Sequence, residues 1–329
     1  DELFFPDAKN VNIEQPVFVV GPPRSGTTFL HRVLAEDCER FVTSPAWEVF
    51  LAPSVLQKKF FRGLLSLDRK VGRPLVRGVR WVEKRLMSAF EDTHPGSLAD
   101  PEEDYFYLSS ICACTGWLLA FPAWKGIRKG MPGQPECSEG LRRRALAFYR
   151  HCLKKQVYAD GGNRTVLSKN ASFSSWMDLL PDFFPDARFM VCMRDPAEAV
   201  PSMLSTAEGS VQAAYASAGP NRLKDILVEE MKAHYTCLNR VIPEMEAGRV
   251  VVVRQTDLKE NLEAVVRSCT DHLSLDLSDS FWQNLSGLVE QSRAHRSTHT
   301  YDLAEYDLSA ENLRDTFPRL DHTPFDDKR

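Results

Sequence analysis

The stretch that decides the fold is VFVVGPPRSGTTFLHRVLAED, residues 17–37. Its apolar run Val17–Val20 predicts a buried strand, and the helical spacing of the apolar residues beyond the loop predicts a helix. Between them, Gly21 and Gly26 let the backbone approach a ligand closely. The amides of residues 25–28 precede the first intrahelical hydrogen bond and sit at the positive end of the helix dipole. This order of strand, loop and helix predicts an anion-binding loop, rather than a glycine turn that only packs a helix on a strand.

The loop is almost a Walker A phosphate loop, but it lacks the lysine of that motif. Gly26-Thr27-Thr28 stands where the motif has Gly-Lys-Ser/Thr, and Arg24 is the loop's one cation. In a nucleoside-triphosphate site the lysine reaches the β- and γ-phosphates and the next hydroxyl holds Mg²⁺. Arg24 instead offers a planar, permanently charged fork. The loop therefore suits an anion that needs neither Mg²⁺ nor a γ-phosphate.

A second strand–turn–helix pattern is DARFMVCMRDPAEAVPSMLS, residues 186–205. Asp195 is placed to cap the helix and Pro196 to occupy its first turn. Arg194 leaves the end of the strand, and Ser202 follows eight residues later, about two helical turns along. The carboxyl ends of parallel strands are where open α/β sheets bind ligands. Two separate anion motifs predict a ligand that carries phosphates at two distant positions.

The rest of the chain predicts an α/β fold. Apolar or β-branched runs predict buried parallel strands, and longer amphipathic patterns between them predict helices. We expect a P-loop-like three-layer fold with a central parallel sheet flanked by helices, built as one domain over residues 1–329, in which residues 51–150 form a mainly helical lid or acceptor region. The predicted strands are 17–20, 165–167, 188–193 and 250–253, and the clearest predicted helices are 141–157, 222–242 and 261–273.

The composition limits the functions to consider. The 329 residues are 43% hydrophobic and 26% charged, with a net charge of −4, which argues against general nucleic-acid binding. No apolar run reaches 18 residues, so we expect no membrane-spanning segment. Eight cysteines are too dilute for a disulfide scaffold and have no partners at metal-ligand spacing, so we expect no metal site. A reducing cytoplasm is the expected location, and a removed N-terminal targeting segment is left open.

One segment of the chain is strongly basic. Ten lysines and arginines lie between Lys58 and Arg85, against only Asp68 and Glu83. We interpret the segment as a solvated helical face whose apolar residues turn inward. The alternative is a lid, or a surface for an anionic acceptor or an anionic lipid. Glycines and a proline, at positions 63, 72, 74 and 78, predict short helices, which suits a lid better than an anchor.

Together the two anion motifs resemble those of sulfotransferases that use 3′-phosphoadenosine 5′-phosphosulfate (PAPS). VFVVGPPRSGTTFLHRVL is similar to their 5′-phosphosulfate loop, and FMVCMRDPAEAVPSMLS to their 3′-phosphate motif. The arginine in the first loop and the tail HRSTHTYDLAEYDL resemble the bacterial-type and tyrosylprotein sulfotransferase branch. The resemblance implies transfer of the sulfuryl group to a hydroxyl or amine acceptor. The product left behind would be adenosine 3′,5′-bisphosphate (PAP), and no metal would take part.

The resemblance also implies roles for individual residues. The first loop would hold the phosphosulfate, and the second motif, helped by two arginines near the C-terminus, would hold the 3′-phosphate. VLSKNASFSSW resembles the stretch in which tyrosylprotein sulfotransferases carry a catalytic lysine, here Lys169, which would stabilise the bridging oxygen. The implied ligands are Arg24, Ser25, Gly26, Thr27 and Thr28 for the phosphosulfate, and Arg194, Ser202, Arg293 and Arg296 for the 3′-phosphate.

Two residues compete as the general base. Glu48, in SPAWEVF, follows the first helix as the catalytic glutamate of tyrosylprotein sulfotransferases does, and we expect Trp47 and Phe50 to desolvate it and raise its pKa. His94, in EDTHPGS, resembles the His-Gly-Ser of cytosolic sulfotransferases and titrates near neutrality. The alternatives are a surface carboxylate and a loop histidine. The acidic run PEEDY, residues 101–105, is interpreted as the start of a helix.

The acceptor and two other functions stay open. Aromatic and apolar residues across 51–130 favour a small acceptor such as a phenol or a lipidic alcohol, although a peptide or a sugar also fits. A P-loop kinase would need Lys at position 27 and a magnesium carboxylate, and neither is clear in the sequence. A PAP-binding protein without transferase activity is the non-enzymatic alternative, and a homodimer is a further open point.

Overall fold

A computed structural model describes residues 1–87, 97–117, 121, 125–134, 136–214, 223–294 and 303–318. In these residues a five-stranded sheet has the order β2-β3-β1-β4-β5, and every neighbouring pair is parallel. The strands are β1 Val17–Val20, β2 Phe41–Val42, β3 Thr165–Lys169, β4 Arg188–Met193 and β5 Val250–Arg254. The predicted α/β class with a central parallel sheet is confirmed.

β1 is the central strand, and the strand order reverses around it. On one side Val17 is in register with Leu167 of β3, and on the other side with Arg188 of β4. Because the strands are parallel, the loops after β1, β3 and β4 leave the sheet at the same edge. This edge is the switch point at which open α/β sheets bind ligands.

The edge strand β2 was not predicted. It has only two residues, and Phe41 pairs with Thr165 of β3. Two residues are too few to show an alternating or continuous apolar pattern, so only the pairing with β3 reveals this strand. β3 also runs two residues further than predicted and ends at Lys169.

Helices cover both faces of the sheet. The three helical patterns found in the sequence correspond to α5, α8 and α10. The helices are α1 Thr27–Ala35, α2 Ala46–Leu51, α3 Val55–Lys70, α4 Pro74–Met87, α5 Glu139–Asp160, α6 Leu180–Phe183, α7 Pro196–Ala214, α8 Lys224–Val241, α9 Gln255–Glu260, α10 Leu262–His272, α11 Asp279–Ala294 and α12 Ala310–Thr316. Short 3-10 segments include Asp104–Ile111 and Ser172–Trp176.

Alternate residues of the central strands pack into two separate hydrophobic cores, one on each face of the sheet. Phe18 and Phe189 point to the core that includes Tyr149 of α5. Val19 and Met190 point to the opposite core, formed with α1, α10 and α11. Strands that are apolar on both faces need a helical layer on each side, so the three-layer arrangement follows from the composition of the strands.

The basic segment folds into the hairpin α3–α4. Ser54 and Gln57 form a capping box that starts α3, with both hydrogen bonds at 3.1 Å. At the turn, the two carboxylate oxygens of Asp68 accept hydrogen bonds from the amides of Leu75 and Val76. Asp68 therefore caps the start of α4 from the end of α3, which fixes the angle between the two helices.

The expectation that apolar residues of this segment turn inward holds for Val55, which is buried, but it is wrong for the large apolar residues that the structure leaves exposed. Lys58 is fully buried, whereas Phe60 and Leu67 are 64% and 62% exposed. The cause is polar: Lys58 is drawn inward by Glu48 of α2, and Arg62 donates a 2.7 Å hydrogen bond to the carbonyl of Ala159 on α5. Charged groups therefore share the inner side of α3 with apolar residues such as Val55, and the apolar residues Leu56, Phe60 and Leu67 are left on its outer side.

Candidate active site

The loop after β1 is held tightly against the sheet. The amide of Gly21 donates a 2.8 Å hydrogen bond to Oγ of Ser174. A Cβ at Gly21 would lie 2.1 Å from the carbonyl oxygen of Cys192, so a side chain at that position would collide with β4. Gly26 precedes α1 with φ of +94°, a left-handed conformation that favours glycine. Gly21 is thus required by its packing on β4 and Gly26 by its backbone conformation, whereas their predicted role of letting a ligand approach the backbone stays a prediction.

The start of α1 presents unused hydrogen-bond donors. The first intrahelical bond is donated by Leu30 to the carbonyl of Gly26, so the preceding amides have no acceptor within the helix. Oγ of Ser25 is buried and has no hydrogen-bond partner among the described residues. Thr27 is buried next to it, while Arg24 and Thr28 are exposed. A buried hydroxyl without a partner beside free amides is a suitable site for an oxyanion.

The two anion motifs are in direct contact. Nε of Arg24 donates a 3.1 Å hydrogen bond to Oγ of Ser202 on α7. The guanidinium of Arg194 donates to the carbonyl oxygen of Arg24 at 3.2 Å, and Nε2 of Gln255 lies 3.5 Å from the same oxygen. The structure thus brings Arg24, Arg194 and Ser202 to one place, whereas the sequence treated them as two separate sites. Their strands, β1 and β4, are adjacent, which explains the contact.

The strand-to-helix turn of the second motif is ordered by its own side chains. Asp195 accepts a 2.8 Å hydrogen bond from the amide of Ala197, and α7 begins at Pro196, as predicted. The carbonyl of Arg194 accepts a 2.7 Å hydrogen bond from the hydroxyl of Tyr235 on α8. The guanidinium of Arg194 also pairs with Glu198 at 3.1 Å. Arg194 is therefore oriented by its backbone as well as by its side chain.

Lys169 is buried at the end of β3 and faces two carboxylates. Its Nζ forms an ion pair with Glu103 and lies 4.0 Å from Oε1 of Glu102. These acids belong to the run interpreted from sequence as a helix start. The run does precede the 3-10 segment Asp104–Ile111, but its carboxylates are directed at Lys169. The sequence offered no signal for this contact, because Lys169 is more than sixty positions away.

A buried hydrogen-bond network forms at Ser168, the residue before Lys169 at the end of β3. Oγ of Ser168 donates a 3.0 Å hydrogen bond to Asp104, and the hydroxyl of Tyr149 lies 2.8 Å from the same Oγ. Burial raises the pKa of Asp104 to about 7, and hydrogen bonds from Tyr149 and Ser168 oppose this shift. Asp104 therefore titrates near neutral pH directly beside the Lys169 ion pair.

Further polar groups without partners surround Lys169. His31, on α1, is fully buried, and burial followed by the charge of Lys169 lowers its pKa to about 3. The imidazole is therefore neutral at physiological pH. Neither the ring nitrogens of His31 nor the side-chain amide of Asn170 has a hydrogen-bond partner within the described part of the chain. Buried groups of this kind are expected to find partners in a bound ligand or water.

Glu48 is buried, but not in the way expected from sequence. Its carboxylate accepts hydrogen bonds from Nζ of Lys58 at 3.0 Å and from Nε of Arg62 at 2.7 Å. Phe50, which was expected to desolvate Glu48, is 51% exposed, and the burial comes from α3. Glu48 is thus neither a surface carboxylate nor a free base. It could accept a proton only after one of these ion pairs opened.

The Glu48 ion pairs extend toward the acidic run. Lys58 also donates a 3.1 Å hydrogen bond to the hydroxyl of Tyr107, which in turn donates to Ser44. The carbonyl of Ser44 accepts a 3.0 Å hydrogen bond from the amide of Glu102. Burial lowers the pKa of Lys58, and the Coulomb attraction of Glu48 partly offsets this effect. A continuous chain of polar contacts therefore links α3 to the residues beside Lys169.

The side chains of three predicted site residues are not described by the structure. His94 and Arg296 lie outside the described residues. Arg293 lies in the last turn of α11, but its side chain is not described. No group of three or more His, Cys, Asp or Glu side chains suited to a metal ion occurs within the described ranges.

The chain matches a known family over most of its length. A model described as Sulfotransferase family matches residues 16–279. The omega-hydroxy-beta-dihydromenaquinone-9 sulfotransferase Stf3 of Mycobacterium bovis is 25% identical over 308 residues, covering 90% of this chain and 72% of that protein.

Two solved structures share the fold. The crystal structure of sulfotransferase STF9 from Mycobacterium avium gives a TM-score of 0.76 at 17% identity, covering 96% of this chain and 78% of that one. That of sulfotransferase STF1 from Mycobacterium tuberculosis gives 0.66 at 21% identity, covering 96% and 80%.

The fold is that of the solved sulfotransferases, and the two anion motifs lie together at the carboxyl edge of its parallel sheet. More particularly, the chain belongs to the sulfotransferase family, because the family model covers well over half of it. It is an enzyme that transfers a sulfuryl group. The resemblance inferred from the two motifs is confirmed, and the kinase alternative is excluded.

Proposed function

We propose that the sulfuryl donor is PAPS and that it binds across the contact between Arg24 and Ser202. The observation that carries the proposal is this 3.1 Å hydrogen bond, because it joins one candidate phosphate ligand from each motif. The buried, unpartnered Oγ of Ser25 supports the fit, since a donor oxygen would satisfy it. When bound, PAPS supplies the sulfuryl group and leaves as PAP.

The residues of the two motifs divide between the two ends of the donor. Arg24, with the hydroxyls of residues 25, 27 and 28 and the amides of residues 26–28, would hold the phosphosulfate. The amide of Ser25 is not available, because it donates a 3.2 Å hydrogen bond to the carbonyl of Pro22. Arg194 and Ser202 would hold the 3′-phosphate, and Arg293 and Arg296 stay proposed as additional ligands. Because Arg24 and Ser202 contact each other, both would exchange this hydrogen bond for oxygens of the donor.

Lys169 is the proposed electrostatic catalyst. Sulfuryl transfer builds negative charge on the leaving oxygen, and a fixed ammonium group near that oxygen lowers the barrier. The side chain of Lys169 is buried at the carboxyl end of β3, next to the strand that carries the anion loop. Burial strengthens its charge–charge interactions relative to those in water.

We infer that Glu103 is a stronger candidate for the general base than Glu48. Glu103 forms an ion pair with Lys169 and keeps a partly exposed side chain, so an acceptor hydroxyl can reach it. A donor that attracts Lys169 would release the carboxylate of Glu103 to accept the acceptor's proton. Both oxygens of Glu48, by contrast, are held by cations. His94 stays a candidate from the sequence.

A hydroxyl on a long apolar molecule is the proposed acceptor. The relative named as a dihydromenaquinone sulfotransferase indicates that this fold can serve a lipidic alcohol. The apolar side chains of residues 51–130 support the same class. A small phenol is the second candidate.

Ligand binding and transfer can be tested separately. We expect PAP, without Mg²⁺, to raise the melting temperature of the protein more than ATP with Mg²⁺ does. Transfer from labelled PAPS is then measured with a hydroxylated isoprenoid quinol and with a short phenol. Stronger stabilisation by ATP with Mg²⁺ would contradict the proposed donor, and transfer to the phenol alone would contradict the proposed acceptor.

A further inference from the structure

α3 leaves one row of large apolar side chains exposed. Leu56, Phe60 and Leu67 recur with helical spacing on one face, and each is more than half exposed. The side of α3 that faces the protein buries Lys58 together with Val55 and half-buries Phe61 and Leu65. A surface helix normally buries its apolar stripe and exposes its charges. The apolar side chains on the outer face of α3 would be more stable in an apolar environment, and the described residues do not provide one.

The second helix of the hairpin also exposes large apolar side chains. Leu75, Val79 and Val82 recur with helical spacing on α4, and each is exposed by more than two-fifths. We call the six residues Leu56, Phe60, Leu67, Leu75, Val79 and Val82 the hairpin apolar face. A set of large exposed apolar side chains concentrated on two consecutive helices marks an interaction surface.

Uncompensated positive charge accompanies this apolar face. Between residues 58 and 85 the ten basic and two acidic residues give a net formal charge of +8, in a chain whose net charge is −4. Lys70 and Arg73 are exposed near the turn, and neither has a carboxylate partner in the described part of the chain. Exposed apolar side chains flanked by cations are typical of helices that lie in the surface of an anionic bilayer.

We propose that the hairpin apolar face docks the enzyme on the surface of an anionic phospholipid membrane. In that position the apolar side chains enter the boundary between headgroups and acyl chains, while Lys70 and Arg73 contact lipid phosphates. A symmetric contact with a second copy would bring two faces of like charge together, which electrostatic repulsion disfavours. The helices lie on the membrane and do not cross it: none in the described ranges combines the length and hydropathy that a bilayer span requires.

The docking surface is rigidly connected to the active site. Lys58 and Arg62, on the inner face of α3, hold Glu48, and the polar contacts continue through Tyr107 toward Glu102. A membrane-bound hairpin would therefore keep the acceptor side of the enzyme close to the bilayer. Membrane docking is independent of the proposed chemistry, and it can be measured without turnover.

The test is flotation of the full chain with phospholipid vesicles. We expect binding to vesicles of phosphatidylcholine with about one-third phosphatidylglycerol, and far less binding to pure phosphatidylcholine or at about 0.5 M salt. Phe60→Glu combined with Leu67→Glu should reduce the bound fraction at least about tenfold. Lys70→Glu combined with Arg73→Glu should abolish the preference for anionic vesicles. The matched controls are Leu3→Glu and Arg150→Glu, which change an exposed apolar and an exposed basic residue elsewhere.

Three outcomes of these experiments would contradict the proposal. Vesicle binding that survives both double substitutions would place membrane contact elsewhere on the protein. A wild-type chain that ignores vesicles and is dimeric by light scattering, with Phe60→Glu/Leu67→Glu monomeric, would assign the face to a second copy. A monomeric wild type that does not bind vesicles would show that the hairpin apolar face does not have the proposed role. The melting temperature of every variant, measured by circular dichroism without PAP, confirms that the variant is folded and keeps this test separate from that of the donor.

Discussion

Nε of Arg24 donates a hydrogen bond of 3.1 Å to Oγ of Ser202, although 178 positions separate the two residues. Arg194 adds a second link, because its guanidinium donates to the carbonyl oxygen of Arg24. The anion loop after β1 and the helix after β4 are thus one hydrogen-bonded unit. A donor that binds at one end would disturb the ligands of its other end, so we expect the two motifs to be energetically coupled.

Replacement of Arg194 tests the 3′-phosphate site. Arg194→Ala should weaken PAP binding at least about tenfold, because the 3′-phosphate loses a charge-assisted hydrogen bond. Titration calorimetry measures the change, with Arg267→Ala, an exposed arginine paired with Glu263, as the control. Equal PAP affinity in the Arg194 variant and the wild type would remove Arg194 from the donor site.

Replacement of Lys169 tests electrostatic catalysis. Lys169→Gln should lower kcat about 100-fold or more while it leaves the melting-temperature shift caused by PAP largely intact. The reason is that the leaving oxygen develops its charge mainly in the transition state. Steady-state transfer from labelled PAPS gives kcat. A variant that transfers at the wild-type rate would assign Lys169 a structural role.

Replacement of Glu103 tests whether this residue is the general base. Glu103→Gln should lower kcat about 100-fold or more but keep or strengthen PAP binding, because a carboxylate near an anion site is removed. Glu102→Gln is the control, since its carboxylate lies 4.0 Å from Nζ of Lys169. If Glu48→Gln or His94→Gln abolished transfer while Glu103→Gln did not, the choice of base proposed above would be wrong.

Removal of Glu48 should destabilise the fold. Glu48→Ala leaves the fully buried Lys58 without its carboxylate, and we expect a loss of about 3–5 kcal/mol in the free energy of unfolding. Adding Lys58→Met should restore much of that loss. Urea denaturation measures both, and Glu263→Ala, which breaks an exposed pair, should change the free energy by less than about 1 kcal/mol. An equally small effect of Glu48→Ala would contradict the structural role assigned to this ion pair.

The raised pKa of Asp104 should appear in the pH dependence of stability. Its pKa is raised from 3.8 to about 7 on folding, so between those values the folded state binds more protons than the unfolded state. The wild type then loses stability from this group as the pH rises from about 4 to about 7. Between about pH 4 and about pH 7, the free energy of unfolding of Asp104→Asn should therefore rise by about 4 kcal/mol relative to that of the wild type.

His31 gives the opposite contribution and must be separated from that of Asp104. Its pKa is lowered from 6.5 to about 3, so its contribution to stability rises with pH over nearly the same window. The two contributions largely cancel in the wild type, which is why the comparison of variants is needed. Urea denaturation of the wild type and Asp104→Asn at several pH values measures the difference. A difference that does not vary with pH would show that Asp104 is already ionised at pH 4.

Residues 17–37 and 186–205 predicted two anion motifs, and with the other strand and helix patterns of the chain they predicted a parallel α/β sheet. Each motif is local: strand, turn and helix follow in order, and the required glycines, cap and cation lie within a few positions of one another. The family resemblance of the same residues predicted sulfuryl transfer, which the family model supports. The donor and the individual roles stay predictions, since sequence patterns name ligands without showing their contacts.

Other features depend on residues that are far apart in the sequence. The sequence by itself determined the layers of the fold and the predicted anion loop, because short-range periodicity and local turn chemistry encode them, and its family resemblance indicated the class of reaction. Only the tertiary structure decided that Glu103 faces Lys169, that Glu48 draws Lys58 inward, and that some large apolar side chains of α3, such as Phe60, are left exposed. Charge pairing across distant elements outweighed the helix's own polarity pattern, and no local pattern records which distant carboxylate a buried lysine will meet.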